Sequence, residues 1–263
     1  MKSIFPIDKG DSDVIIPAAL LLDFGGVIAE APPRQDRRDA LVHAVHKTVK
    51  GAVSPDRIAT DLAAASHAYA KWRDEAADRE RPTEISQTYL WYDLVAGSWP
   101  APAREEVRRS AAELSRIWAH RPGWRVRPGI RRALATATAA RLAVAVVSNT
   151  LSGAAHRAFL DANGLSAAIR EQIYSDEVGV RKPSPEPLTQ AAARLGVRVG
   201  QCWFVGDSTH RDILCARRAG AGAAILMLSR RTRSEPPLEG MVPDATVDDG
   251  HGLTALLTEA LGR

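Results

Sequence analysis

Residues 202–228 read CWFVGDSTHRDILCARRAGAGAAILML. The run CWFVG, 202–206, is short, apolar and closed by a glycine, the pattern of a strand buried on both faces. A polar loop follows it, and 211–219 predicts a helix that Gly220 stops. AAILML, 223–228, predicts a second buried strand. Strand, helix and strand in such close succession predict two parallel strands joined by a helical crossover.

The same alternation runs upstream. After Pro128-Gly129 the sequence predicts a helix over 129–140, the strand LAVAVV over 142–147 and a helix over 153–163. A short strand near 172–175 and a helix over 185–195 come next. VIIPAALLL, 14–22, predicts one more strand, with Pro17 near its start, where a missing donor is tolerated. Residues 1–12 read as a polar lead-in. Downstream, 229–243 reads as an exposed loop whose Arg230, Arg231 and Arg233 are a solvated charge run. A last helix is predicted over 252–261. This is the pattern of an α/β fold, a Rossmann-like parallel sheet covered by helices on both faces.

Between the first strand and the rest, the period changes. Ile58, Leu62, Ala65, Tyr69 and Trp72 recur on one helical face, preceded by Ser54-Pro55 as cap and first-turn proline. Val107, Ala111, Leu114 and Trp118 form a second stripe, and helices are also predicted over 36–49 and 83–96. Trp72, Trp91, Trp99, Trp118 and Trp124 fall in this region, as bundle core or as the wall of a substrate cavity. The organisation expected is a core of 13–30 and 122–263 with an inserted α-helical cap of 31–121. Ligands of such sheets bind at the carboxyl ends of strands, so an insertion leaving from that end lies over the site.

Composition narrows the function classes. Of 263 residues, 45% are hydrophobic and 25% charged, enough apolar content for a real core. The net charge of +4 comes from scattered arginines and speaks against a nucleic-acid partner. The two cysteines, Cys202 and Cys215, form no CxxC pair, which excludes a disulfide framework and argues against zinc. The apolar run 14–22 falls short of the ~18 residues that a membrane helix needs. With no leader-like pattern at the start of the sequence, a cytoplasmic protein without a membrane partner is expected.

Four groups at strand ends and loops carry the chemistry. Asp23, in LLLDFGGVI, puts a carboxylate where it can attack phosphorus, and Gly25 and Gly26 let the backbone approach an anion. Ser148 and Asn149 follow LAVAVV, where a hydroxyl and backbone N–H groups can hold phosphoryl oxygens. Lys182, in GVRKPSPEP, can offset the charge of Asp23 and of a phosphate. Asp207 and Asp212, five apart in GDSTHRD, suit a hard cation with oxygen ligands. Each part that phosphoryl transfer requires occurs once, in order.

With these residues, and above all with SDEVGVRKPSPEP at 175–187 and FVGDSTHRDILCARRAGAGAAIL at 204–226, the chain resembles a haloacid dehalogenase-like hydrolase with a helical cap. The resemblance implies that Asp23, Lys182 and Ser148 are catalytic and that an aspartyl-phosphate forms on Asp23. It implies phosphate binding by Ser148, Asn149, Lys182 and Gly26. It also implies Mg²⁺ held by Asp23, the backbone carbonyl of Gly25 and Asp207, with Asp212 supporting. The expected substrate is a small phosphorylated metabolite, such as a sugar phosphate. One position departs from the family: most of its phosphatases have a second Asp two residues after the nucleophile, as general acid, where this chain has Gly25. A subgroup of sugar-phosphate phosphatases shares that glycine. Glu30, His120 or a residue of the inserted helices is the candidate replacement. Besides a phosphotransferase or mutase, which would pass the phosphate on, two other readings stay open. One is a phosphate-binding relative without catalysis. The other is 2-haloacid dehalogenation, in which the paired carboxylates of GDSTHRD, lacking a cation, repel an anionic substrate.

Overall fold

The structure, a computed structural model, describes residues 16–32, 38–77 and 79–262. In chain order the strands are β1 (Ala19–Leu22), β2 (Ala29–Glu30), β3 (Arg125–Val126), β4 (Ala143–Ser148), β5 (Glu171–Tyr174), β6 (Cys202–Gly206), β7 (Ala223–Met227) and β8 (Ala245–Val247). The helices are α1 (Arg38–Thr48), α2 (Pro55–Ala77), α3 (Ala101–Arg109), α4 (Ala111–Ala119), α5 (Ile130–Ala139), α6 (Gly153–Ala162), α7 (Ser175–Val178), α8 (Glu186–Leu195), α9 (Leu214–Ala219), α10 (Arg230–Ser234) and α11 (Gly250–Ala260). A π-helical segment, Tyr89–Val95, lies between α2 and α3.

Six strands form one parallel sheet in the order β5-β4-β1-β6-β7-β8. Successive side chains of a strand point to opposite faces, which is why the aliphatic runs are continuous. Leu20, Leu22, Val144, Val146, Trp203 and Val205 pack with Ile130 and Leu134 of α5 and Leu253 and Leu257 of α11. Leu21, Ala145, Val147 and Phe204 pack on the other face with Leu188, Ala191 and Leu195 of α8. Each such buried Leu or Val contributes roughly 1.5–3 kcal/mol.

Between β2 and β3 the chain runs through α1–α4, which share a separate hydrophobic cluster. Ile58, Leu62 and Ala65 of the first predicted stripe meet Trp91, Val107 and Leu114 there, and Leu151 joins them from beyond β4. The buried indole of Trp91 donates to Ser115 Oγ at 2.9 Å, so its burial leaves no unpaired N–H. β2 and β3 pair antiparallel where the insertion leaves and returns.

Several boundaries differ from the sequence reading. The first strand begins at Ala19, and Ala18 N–H, beyond Pro17, donates to Gln201 O. The second stripe is split at Ser110 into α3 and α4. The helix expected from 83 starts later, because Thr83 bridges antiparallel to Val180. The stretch 229–243 is not all loop: Ser229 caps α10, its hydroxyl accepting from Arg231 and Thr232 N–H. β8 is an added sixth strand. Among the described residues, no helix is long and apolar enough to cross a membrane.

Candidate active site

β1 lies between β4 and β6, so the residues at their carboxyl ends are neighbours at the point where strand order reverses. These are Asp23, Ser148 and Asp207. Asp23 continues the line of β1, its N–H donating to Val205 O at 2.9 Å.

Lys182 reaches this point from the loop after α7. Its ammonium donates to Asp23 Oδ1 at 2.9 Å and to Val147 O at 3.0 Å, and lies 2.6 Å from Asp212 Oδ1. Burial works against this charge, but Asp212 and Asp23 outweigh it and hold the ammonium above its ordinary range. The loop itself is pinned: Asn149 donates through Nδ2 to Lys182 O and accepts from Lys182 N–H, both at 2.9 Å. The side-chain amide of Asn149 is therefore engaged by Lys182, leaving its backbone to serve an anion.

Asp212 Oδ2 accepts from the N–H groups of Asp207 (2.9 Å) and Ser208 (3.1 Å), which fixes the loop as an acidic hook. Two glycines permit the close packing. A Cβ on Gly26, at φ +82°, would lie 2.0 Å from Asp207 Oδ2, and one on Gly206 would lie 2.1 Å from Asp212 Cβ. Ser229 Oγ donates to Asp207 Oδ2 at 2.8 Å, and Arg231 Nε lies 3.6 Å from the same oxygen. Arg231 is thus part of the site rather than a solvated charge, contrary to the sequence reading. Burial pushes the Asp207 carboxyl up to about 6, against Arg231 and with help from Asp212 and Asp23. One oxygen from each of Asp23, Asp207 and Asp212 lies within 4.8 Å of the others, all buried. An oxygen-only set with surplus negative charge fits a hard divalent cation.

All eight residues singled out in the sequence line one cavity of about 490 Å³. Of the candidate proton donors, Glu30 lines it, with its carboxylate 3.9 Å from Arg127 Nε; His120 is exposed and not part of its lining. Trp118 and Trp124 form part of the wall, whereas Trp91 and Trp99 belong to the core of the inserted helices. Sequence reasoning missed Ser229, Arg231 and Arg127. Arg127 donates to Gly26 O, to Leu228 O at 2.8 Å and to Asp248 O at 3.0 Å, tying the turn after Asp23 to the ends of β7 and β8. Ser229 follows the end of β7, so the strand-end rule that found Asp23 also reaches it.

His156, likewise missed, is buried in the wall and stacks on Phe24 with centroids 3.8 Å apart. Burial first, then Arg121, Lys182 and Arg157, pushes its imidazole down to about 3. It is neutral at neutral pH and has no proton to spare as a general acid. In the unfolded chain it titrates at about 6.5. As pH falls below that value only the unfolded state takes up the proton, so stability drains away between pH 6.5 and about 3. Between pH 6.5 and 5 the loss from this residue is on the order of 1–2 kcal/mol. Urea unfolding at the two pH values is expected to show the wild type losing about that much more than His156→Gln. Equal losses would contradict the assignment.

The chain matches the family model described as haloacid dehalogenase-like hydrolase over residues 17–220. A glyceraldehyde 3-phosphate phosphatase of Methanopyrus kandleri is 33% identical over 96 residues, 36% of this chain and 41% of that protein. The chain spans under half the length of the first curated relatives it matches. Among solved structures, a HAD phosphatase from Thermococcus onnurineus is 20% identical with a TM-score of 0.57, covering 91% of this chain and 97% of that one. A 2-haloacid dehalogenase from Pseudomonas syringae is 18% identical with a TM-score of 0.61, covering 93% and 98%. At these identities the likeness is one of fold, and one fold serves both chemistries. The choice between them rests on the site.

Proposed function

The chain belongs to the haloacid dehalogenase-like hydrolases, and from that premise we propose that it is a Mg²⁺-dependent phosphatase of a small phosphorylated metabolite, with Asp23 as nucleophile. The observation that carries this reading is the buried trio Asp23, Asp207 and Asp212 around the Lys182 ammonium. Attack on carbon by Asp23 alone gives no use for two further buried carboxylates, whereas phosphoryl transfer with a cation does. The phosphatase relative supports the same choice.

In this reading Asp23 attacks phosphorus, the bond to the ester oxygen breaks, and the leaving oxygen takes the electron pair. Water then attacks the aspartyl-phosphate, releasing phosphate and restoring Asp23. Lys182 offsets the negative charge of carboxylate and phosphate in a buried site, and its contact with Asp23 aims the attacking group. Ser148, the Asn149 backbone and Gly26 are the proposed cradle for phosphoryl oxygens. Asp23, Asp207 and the Gly25 carbonyl would hold Mg²⁺, with Asp212 supporting. Bound there, Mg²⁺ would supply positive charge to the phosphoryl oxygens. Residues 31–121 are the proposed cap over a core of 13–30 and 122–263. A cytoplasmic setting accords with the two free, buried cysteines. The direct test is release of inorganic phosphate from p-nitrophenyl phosphate in Mg²⁺ buffer; release is expected, and its absence there and across a panel of phosphorylated metabolites would overturn the reading.

Gly25 shapes the substrate preference. With no carboxylic acid there, the leaving oxygen departs with less protonation, so aryl phosphates and sugar 1-phosphates should be preferred over simple alkyl phosphates. Nothing lies within 4 Å of a Cβ built on Gly25, and its φ is outside the left-handed region. Gly25→Asp should therefore fold. Since general acid catalysis is worth ~10²–10⁴ in rate, the variant should raise alkyl relative to aryl phosphate turnover by at least about tenfold. An unchanged ratio would show that another group, with Glu30 first among the cavity residues, already delivers the proton.

A further inference from the structure

The inserted helices do more than lie over the cavity. Where α2 gives way to the π-helical segment, the chain pairs with the loop that leads to Lys182. Thr83 bridges Val180, Glu84 N–H donates to Gly179 O at 2.9 Å, and Arg181 N–H donates to Pro82 O at 3.1 Å. Glu84 stands at the centre of this seam with its side chain 2% exposed.

Among the described residues, every polar partner of the Glu84 carboxylate donates to it: Arg181 from the loop before Lys182, Ser175 from the start of α7, and the neighbouring Ile85. Arg181 Nη1 donates to Oε1 at 3.1 Å, and the N–H of Ile85 donates to the same oxygen at 3.0 Å. The Ser175 hydroxyl donates to Oε2. Arg181 directly precedes Lys182. Ser175 Oγ in turn accepts the N–H of Thr150, two residues after Ser148, at 2.9 Å. A hydroxyl has one proton, and with that proton turned to Glu84 its lone pairs are left for Thr150. One carboxylate from the insertion thus holds the Ser148 loop and the Lys182 loop together.

A buried ion pair is poor evidence for stability, because desolvation offsets its attraction. The Glu84–Arg181 pair is nevertheless buried beside the cavity that Arg181 lines. We propose that Glu84 is a positioning residue, which sets the Ser148 and Lys182 loops in register and makes docking of the inserted segment a condition for a competent site. The consequence for turnover rests on the phosphatase reading; the consequence for loop geometry does not.

Glu84→Gln is the sharpest variant, because it keeps shape but removes the charge paired with Arg181, and its NH₂, set against Ser175, turns the hydroxyl proton away to Thr150 O, 3.2 Å off. Misplacement of reacting groups by an ångström costs on the order of 10²-fold, so kcat should fall at least about tenfold, with a smaller change in KM. A merely structural role would lower the melting temperature and leave kcat per folded enzyme unchanged. Hydrogen exchange gives a readout that needs no turnover. The amides of Thr150, Arg181 and Lys182 should exchange at least about tenfold faster in the variant, while those of α5 and α11 stay as in wild type. If Glu84→Gln does not fold, Ser175→Ala, which removes one hydroxyl, is expected to speed Thr150 exchange and lower kcat in the same direction. A folded variant with kcat within about twofold of wild type and unchanged exchange at these amides overturns the proposal. A wild type inactive on phosphate esters instead sinks the phosphatase reading, and the exchange data alone then decide the role of Glu84.

Discussion

Asp23→Asn is expected to lower turnover by ~10³ or more while leaving the protein folded. The amide has the shape of the carboxylate but is no nucleophile toward phosphorus. Folding should survive because Lys182 keeps Asp212 at 2.6 Å and Val147 O at 3.0 Å when its bond to Asp23 is lost. The ammonium is therefore not stranded, which separates this change from truncations that leave a buried charge unpaired. Stopped assays on a variant whose melt matches wild type would measure it. Retention of more than about a tenth of wild-type turnover, a loss of under ~1.4 kcal/mol in activation free energy, would remove Asp23 from the role of nucleophile.

Removal of metal is expected to take activity to the level of the chelator blank, and added Mg²⁺ to restore it. Three buried carboxylates converge within 4.8 Å with Lys182 between two of them, and burial holds Asp207 up at about 6. That surplus negative charge is what a divalent cation relieves, and oxygen ligands select Mg²⁺ over softer metals. Binding to the folded state alone also stabilises it, by about 2.7 kcal/mol at a hundredfold excess over Kd, so Mg²⁺ should raise Tm even without substrate. Full activity in a verified metal-free sample, with no effect of Mg²⁺ on the melt, would contradict the phosphatase account and revive attack on carbon.

The sheet and the placement of the candidate groups in one cavity were legible because both follow from strand ends. Asp23, Ser148 and Asp207 are adjacent in space since β4, β1 and β6 are neighbours, and the aliphatic runs identified those strands without reference to the site. Lys182 was legible from its order among the other three. Arg231 was not, because an arginine run in a proline-containing stretch reads as solvated surface; only the capping of α10 by Ser229 turns it toward Asp207. β8 was missed because three residues, Ala245–Val247, give too short a run to stand out after Pro243-Asp244. Glu84 had no signal at all. Its partners lie across the seam at Ser175 and Arg181, and nothing local in PTEIS marks a residue whose contacts are so remote.

In the proposed reaction a phosphoryl group passes through Asp23. Mass spectrometry of wild-type enzyme acid-quenched during turnover of p-nitrophenyl phosphate in Mg²⁺ tests it most directly. The peptide containing Asp23 is expected to gain the mass of one phosphoryl group and to lose it when substrate is exhausted, and Asp23→Asn is expected never to show it. Phosphate release at the wild-type rate with that peptide unmodified at every quench time, or a phosphoryl group found on another residue, would contradict it.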